Sequence, residues 1–150
     1  MEHSEISPSK ELPRWNLSSL YPGMHSNELK QDLEKVAEKA TSFEVRYKGN
    51  ISQLAGPQLA HSIIEYEKIE ETLGRLMSFA QLIYAGDMLN SEISNFHQSI
   101  HEKVTDISSH LLFFNLELNL ISDAELKEKL KSPELNHYYP WIRDLRVFQP

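Results

Sequence analysis

Apolar positions along residues 91–121 define the longest predicted helix of the chain. They recur three or four residues apart, at Ile93, Phe96, Ile100, Val104, Ile107, Leu111, Phe114 and Leu118. This spacing places them on one face of an α-helix and differs from the alternation typical of a strand. The segment therefore predicts one continuous helix about 45 Å long, at 1.5 Å per residue, which needs packing partners along its length.

The last third of this segment, residues 111–121, is apolar on nearly every side. A helix end of this kind is expected to be covered from more than one direction. We predict that it contacts a missing lobe or a partner through Leu112, Phe113, Leu116 and Glu117. The carboxylate of Glu117 is costly to bury alone, so an ion pair with Arg75 or Arg143 is favoured over a role facing a cleft.

Two further helices are predicted before residue 91. The first runs from about residue 27 to residue 48, with Ser26 as its N-cap and Gly49 just after its end. The second begins at residue 53 or 58 and ends near residue 84. Gly74 lies in the middle of this second helix, where it predicts close approach by a neighbouring segment. Short turns between long helices predict antiparallel neighbours.

Short elements are predicted at both ends of the chain. Ser122 and Glu125 match a capping box that starts a new helix, Ser132 and Pro133 open another, and Pro140 kinks or restarts it. Residues 1–11 read as a disordered tail, and residues 12–23 as an extended strap that inserts Trp15, Leu17, Leu20 and Tyr21 into the fold. The predicted fold is all-α, an antiparallel up-and-down bundle of about five helices with an N-terminal strap.

Composition narrows the classes of partner. The 150 residues carry 15 basic and 22 acidic side chains, a net charge of −7, with a sequence pI near 5.5. Nucleic acids and anionic membranes favour clustered Lys and Arg, so neither is expected as the main partner. The chain has no Cys and no apolar run of the roughly 18 residues that span a membrane, which favours a cytoplasmic location.

The histidines include the sharpest candidates for a metal site. His97 and His101 lie four residues apart and share a helix face, as in zinc peptidases. The glutamate of such motifs would stand at position 98 or 100, where the chain has Gln98 and Ile100. A third ligand is undefined, although Asp106 and His110 are near in sequence. We predict no catalytic residue and no metal site in this chain, with the two histidines as a weak alternative.

Several motifs in order resemble one enzyme family. They are residues 12–22 (LPRWNLSSLYP), Phe43-x-x-x-Tyr47-Lys48-Gly49, residues 113–119 (FFNLELN), and residues 132–135 (SPEL) followed by Tyr138, Trp141, Ile142, Leu145 and Arg146. Together they are similar to the amino-terminal region of oligoendopeptidase F, a bacterial zinc metallopeptidase related to thimet oligopeptidase. The resemblance covers residues 12–150. Asn16 and Ser19 depart from it, because aspartates are expected at these two positions.

The resemblance implies a function that this chain does not perform alone. Enzymes of that family are several times longer, almost wholly helical, and cleave short peptides inside a deep channel. Their His-Glu-x-x-His motif and glutamate zinc ligand lie far towards the C-terminus, so no catalytic residue carries over to this sequence. Residues 12–150 would then be the N-terminal helical lobe, forming one side of the substrate channel.

The two hypotheses for this chain imply different partners. If it is a peptidase lobe, it contacts the remainder of the peptidase chain, and the parent enzyme acts on oligopeptide substrates. Zinc is then the cofactor of the parent enzyme, and this segment holds none. This hypothesis also implies that the chain is a fragment, which is inactive alone and able to self-associate through residues 111–121. The alternative is a non-catalytic helical bundle that binds a protein partner through the same apolar residues.

Overall fold

The computed structural model describes residues 21–147, with side chains described up to residue 145. This part of the chain is entirely helical and contains no strand, which confirms the all-α prediction. The helices are α1 (Asn27–Tyr47), α2 (Gly56–Gly86), α3 (Ser91–Ser109), α4 (Leu112–Leu120), α5 (Asp123–Lys129), α6 (Pro133–Asn136) and α7 (Tyr139–Val147), with a 3₁₀ turn at Ile51–Gln53. The predicted tail and most of the predicted strap lie outside the described residues.

Local capping residues set most helix boundaries as predicted. The Ser26 hydroxyl accepts a hydrogen bond from the Leu29 N–H at 3.2 Å, and α1 ends just before Gly49, whose φ is +84°. Asn90 caps α3 by accepting from the Ile93 N–H at 3.1 Å. These side-chain acceptors satisfy backbone donors that a helix start otherwise leaves unpaired. The second helix begins at Gly56, between the two predicted starts, and ends at Gly86, two residues after the predicted end.

The prediction of one continuous helix over residues 91–121 is wrong. α3 ends at Ser109 and α4 starts at Leu112. Between them, the N–H groups of His110 and Leu111 bond to carbonyls three residues earlier, at 3.1 and 2.9 Å, so the backbone tightens there. The spacing of apolar residues continues through this turn because Leu111 and Phe114 are both buried. Hydrophobic periodicity therefore hides the interruption.

The described residues belong to two compact units. The first contains residues 21–37 and 71–106. In its core, Tyr21 packs edge-on against Phe79, with ring centroids 5.2 Å apart, and donates a 2.7 Å hydrogen bond to Asp32. Burial, reinforced by Asp32, raises the pKa of Tyr21 to about 12. The phenol therefore stays neutral and acts as a structural donor.

The second unit contains residues 38–70 and 107–147 and is built around aromatic rings. Phe114 is fully buried and lies with its ring centroid 5.3 Å from Phe43 and 4.7 Å from Tyr66. Trp141 of α7 adds an edge contact to Tyr66 at 6.0 Å. Offset and edge-to-face contacts of this kind add to the large apolar area that aromatic side chains bury.

The short C-terminal helices begin as the sequence predicts. The Glu125 N–H donates to the Ser122 hydroxyl at 3.1 Å, and the Ser122 N–H donates to the Glu125 carboxylate at 3.3 Å, which completes the capping box. Pro133 occupies the first position of α6, and α7 starts one residue before Pro140. Each proline lies where a missing N–H removes no helical hydrogen bond.

A close approach to a glycine occurs at Gly56 and not at Gly74. A β-carbon on Gly74 would meet nothing within 4 Å, so the prediction for that position is wrong. A β-carbon on Gly56 would clash with the Ser132 side chain and the Lys129 carbonyl. The Lys129 ammonium also donates to the carbonyls of Ser52, at 2.8 Å, and Leu54. These contacts hold the α5–α6 junction against the start of α2.

None of the helices formed by residues 21–147 combines the length and apolarity needed to cross a bilayer.

Candidate functional site

α4 exposes a row of leucines to solvent. Leu112, Leu116 and Leu120 keep 63%, 66% and 77% of their surface exposed. Because they lie four residues apart, they form one stripe along the helix, here called the leucine face of α4. Large exposed apolar residues that are contiguous, unlike single ones, commonly mark contact sites.

The other side of α4 fixes the direction of this face. Phe113, Phe114 and Leu118 are buried in the second unit, where α4 packs against the 3₁₀ turn and α7. The nine-residue helix ends at Leu120, and the next residue, Ile121, has an extended backbone and is also buried. The core contacts on one side thus hold the leucine face outward on the other.

Two of the four predicted contact residues lie on this face, namely Leu112 and Leu116. Phe113 does not, since only 6% of it is exposed and its ring centroid lies 5.5 Å from that of Phe43. Leu120 belongs to the face and was missed by the sequence reasoning. The four-residue step from Leu112 through Leu116 to Leu120 was the signal that could have found it.

Glu117 forms hydrogen bonds with backbone N–H groups, and the predicted ion pair with Arg75 or Arg143 is not formed. Its carboxylate accepts hydrogen bonds from the N–H of Gly49 at 2.6 Å and the N–H of Ile51 at 3.2 Å. Arg75 lies instead 3.6 Å from Asp32, and Arg143 lies 3.5 Å from Asp144.

The turn after α1 explains this choice of partner. Gly49 has a positive φ, and the successive N–H groups of such turns can point towards one anion. A carboxylate that accepts two of them forms charge-assisted hydrogen bonds, which are stronger than neutral ones. Glu117 therefore fastens α4 to the connection between α1 and the 3₁₀ turn, and it is a structural residue in this arrangement.

The histidine pair of α3 offers at most two ligands. His97 has its Nε2 2.9 Å from the Gln81 side-chain oxygen, and its ring stacks on Tyr84 with centroids 4.5 Å apart. The ring of His101 lies 6.5 Å away and is exposed. Across residues 21–147, no group of three His, Asp or Glu side chains is arranged to hold a metal ion.

Carboxylates on α1 and α2 form polar clusters in the second unit. Arg46 makes two hydrogen bonds to Glu65, at 2.7 and 3.1 Å, and His61 lies 2.8 Å from the same carboxylate. A carboxylate oxygen of Glu44 lies 2.7 Å from Nδ1 of His110, which is hydrogen-bond distance. Each carboxylate here is satisfied by groups of the protein itself, which favours a role in joining helices.

The leucine face is consequently the strongest candidate for a functional contact in the described part of the chain. It presents an apolar stripe that the second unit leaves uncovered, beside a carboxylate that is already satisfied. Comparison of the chain with protein-family models, curated proteins and solved structures finds no match.

Proposed function

We propose that residues 12–150 form the N-terminal helical lobe of a cytoplasmic zinc-dependent oligoendopeptidase similar to oligoendopeptidase F. In this proposal the helices form an antiparallel up-and-down bundle with an N-terminal strap, and the lobe makes one side of a channel for oligopeptides. The leucine face of α4 packs against the remainder of the peptidase chain. The exposure of that face is the observation that carries the proposal.

The energetics of the leucine face support an extended contact. Complete burial of one leucine side chain contributes about 1.5–3 kcal/mol, so covering three that are about two-thirds exposed would contribute roughly 3–6 kcal/mol. Glu117 on the same helix already has two backbone donors. An apolar surface can therefore cover α4 without leaving that charge unpaired.

The zinc site of the proposed enzyme belongs to the remainder of the chain. His97 and His101 do not fit a peptidase site, because Gln98 and Ile100 stand where the glutamate base would be and His97 is bonded to Gln81. In the parent, a zinc ion would supply Lewis-acid activation of a peptide carbonyl and of water. The contribution of this lobe would be to bound the channel and restrict which substrates enter it.

The reading frame and a peptidase assay test the proposal together. The frame beyond codon 150 is expected to encode a His-Glu-x-x-His helix. The full product is expected to hydrolyse an internally quenched oligopeptide, to lose this activity with a chelator and to regain it with zinc, whereas residues 1–150 alone give no hydrolysis. A stop codon directly after codon 150, or chelator-sensitive cleavage by the 150-residue chain, would refute it.

A matched pair of variants tests the role of the leucine face in the full product. Leu116→Glu is expected to lower its thermal stability and peptidase activity, because a charge would enter the interface between lobes. Leu89→Glu is the control, since Leu89 is 97% exposed in the turn between α2 and α3. Equal effects of the two substitutions would argue against packing at the leucine face.

The leucine face also supports a second candidate, a non-catalytic helical module that binds a separate protein. The stripe of Leu112, Leu116 and Leu120 matches the four-residue spacing with which helices contact each other. A reading frame without a peptidase motif would favour this candidate.

A further inference from the structure

A groove separates α1 from α3 within the first unit. Its volume is about 360 Å³, and Met24, Leu29, Leu33, Phe96 and Ile100 give it an apolar lining. Leu29 and Ile100 are buried at its base, whereas Leu33 and Phe96 are partly exposed to solvent. The groove therefore offers apolar surface that a further side chain could cover.

Two lysines without an ion pair to any described residue lie at the edges of the groove. Lys30 lines it from α1 and Lys103 from α3, both are exposed, and neither forms an ion pair with any residue between 21 and 147. Among the described residues of the lining, Glu92 is the one acidic side chain, and it already lies 3.0 Å from His25. This local charge contrasts with the net charge of −7 of the whole chain.

The length of the groove indicates the size of its ligand. Its lining on α3 extends from Glu92 to Lys103, which is about 16 Å or three turns of helix. A helical segment of about eleven residues would match this length. Small ligands are usually enclosed on most sides, whereas an elongated groove between two helices suits a third helix.

We propose that this groove binds an amphipathic peptide helix with acidic residues on both flanks of its apolar stripe. The apolar side chains would cover Leu33 and Phe96, and the acidic flanks would lie against Lys30 and Lys103. Opposite charges at the edges of an interface speed association and select among partners, and like charges reject the wrong ones. This groove and the leucine face have no residue in common, so the test of the groove does not depend on the peptidase proposal.

Two synthetic peptides test the inference with the 150-residue chain. Both are fluorescent helices of roughly 14 residues with the same leucine stripe, long enough to fill three turns, one flanked by glutamates and the other by lysines. Fluorescence anisotropy is expected to show binding of the glutamate peptide about tenfold tighter than the lysine peptide. The difference is expected to shrink as salt is raised, because salt screens exposed charges.

Charge reversal supplies the decisive comparison. The double variant Lys30→Glu, Lys103→Glu is expected to reverse the preference, whereas Lys35→Glu, Lys127→Glu changes net charge equally on exposed positions outside the groove lining and should preserve it. Circular dichroism confirms that both variants fold. Absence of binding, equal binding of both peptides, equal effects of the two double variants, or loss of binding in Leu116→Glu would each overturn the inference.

Discussion

Glu117 illustrates how a carboxylate is accommodated in a largely apolar helix. Its neighbours Leu116 and Leu118 suggested burial, yet the side chain reaches two backbone donors at the turn after α1. The N–H of Asn50, which lies between them, bonds instead to the Tyr47 carbonyl at 2.8 Å, so the Glu117 carboxylate supplies the acceptor for the two flanking donors. The interaction is thus stabilising for both the turn and the helix.

Replacing Glu117 measures the strength of this link. Glu117→Ala removes both hydrogen bonds and is expected to reduce the free energy of unfolding by about 1–2 kcal/mol, whereas Glu117→Gln keeps an uncharged acceptor and should cost less. Urea denaturation followed by circular dichroism gives these values. Glu67→Ala, on the exposed side of α2, is the control, and an equal cost for Glu67→Ala and Glu117→Ala would contradict the assigned role.

Residue-scale features could be predicted where their partners are close in sequence. Ser26, Asn90 and Ser122 cap helices through groups three residues away, so their roles follow from local pattern alone. Glu117 bonds to groups 66 and 68 residues away, and its donors are backbone atoms that carry no residue-specific signal. The sequence therefore pointed to the wrong partners for it.

At the scale of elements, the sequence was sufficient to predict where α1 and α3 start, but it did not predict the break between α3 and α4. No proline or glycine marks it, and the spacing of apolar residues continues from Ile107 to Leu111 and Phe114. Gly56 precedes Pro57, which marks a helix start but gives no indication that another segment approaches the glycine closely. Only the position of α5 and α6 in three dimensions shows why Gly56 lacks a side chain.

Two carboxylates that connect α1 to other elements should make stability depend on pH. A hydrogen bond from His110 lowers the pKa of Glu44. Burial acts to raise the pKa of Glu65, but hydrogen bonds and charge from Arg46 outweigh it and lower the value overall. A lower pKa in the folded state means that the unfolded chain binds more protons, so stability falls as the pH drops below the ordinary value of 4.5.

Melting temperatures measured between about pH 3 and pH 7 test this dependence. Glu44→Gln and Glu65→Gln are each expected to flatten the acid limb of the curve and to approach the wild type at the lowest pH. Glu67→Gln serves as the control, because this exposed residue of α2 should leave the limb unchanged. Curves that run parallel for all three variants would show that these contacts do not set the acid stability.

For the whole molecule, hydrophobic periodicity was enough to predict the class of fold, but it predicted the exposed leucine face only in part. Residues 111–121 are apolar on nearly every side in sequence, but the structure divides them into a buried side with Phe113 and an exposed side with Leu112, Leu116 and Leu120. Periodicity predicts which residues share a face. It does not tell which of two apolar faces the rest of the chain covers.

This division determines how the 150-residue chain should behave alone in solution. Three exposed leucines offer a patch on the order of a few hundred Å² per copy, below the roughly 800 Å² per partner of a stable complex. We therefore expect weak, reversible self-association that increases with protein concentration. Sedimentation velocity over a wide concentration range measures it directly.

Two serine substitutions on adjacent sides of α4 separate association from folding. Leu116→Ser is expected to suppress association while changing the free energy of unfolding by less than about 0.5 kcal/mol, because the residue is exposed. Phe113→Ser should cost about 3 kcal/mol or more, since it removes a buried ring packed against Phe43 and Phe114. Two results would contradict self-association through the leucine face. One is a wild-type chain that remains monomeric at every concentration, and the other is association that persists in Leu116→Ser.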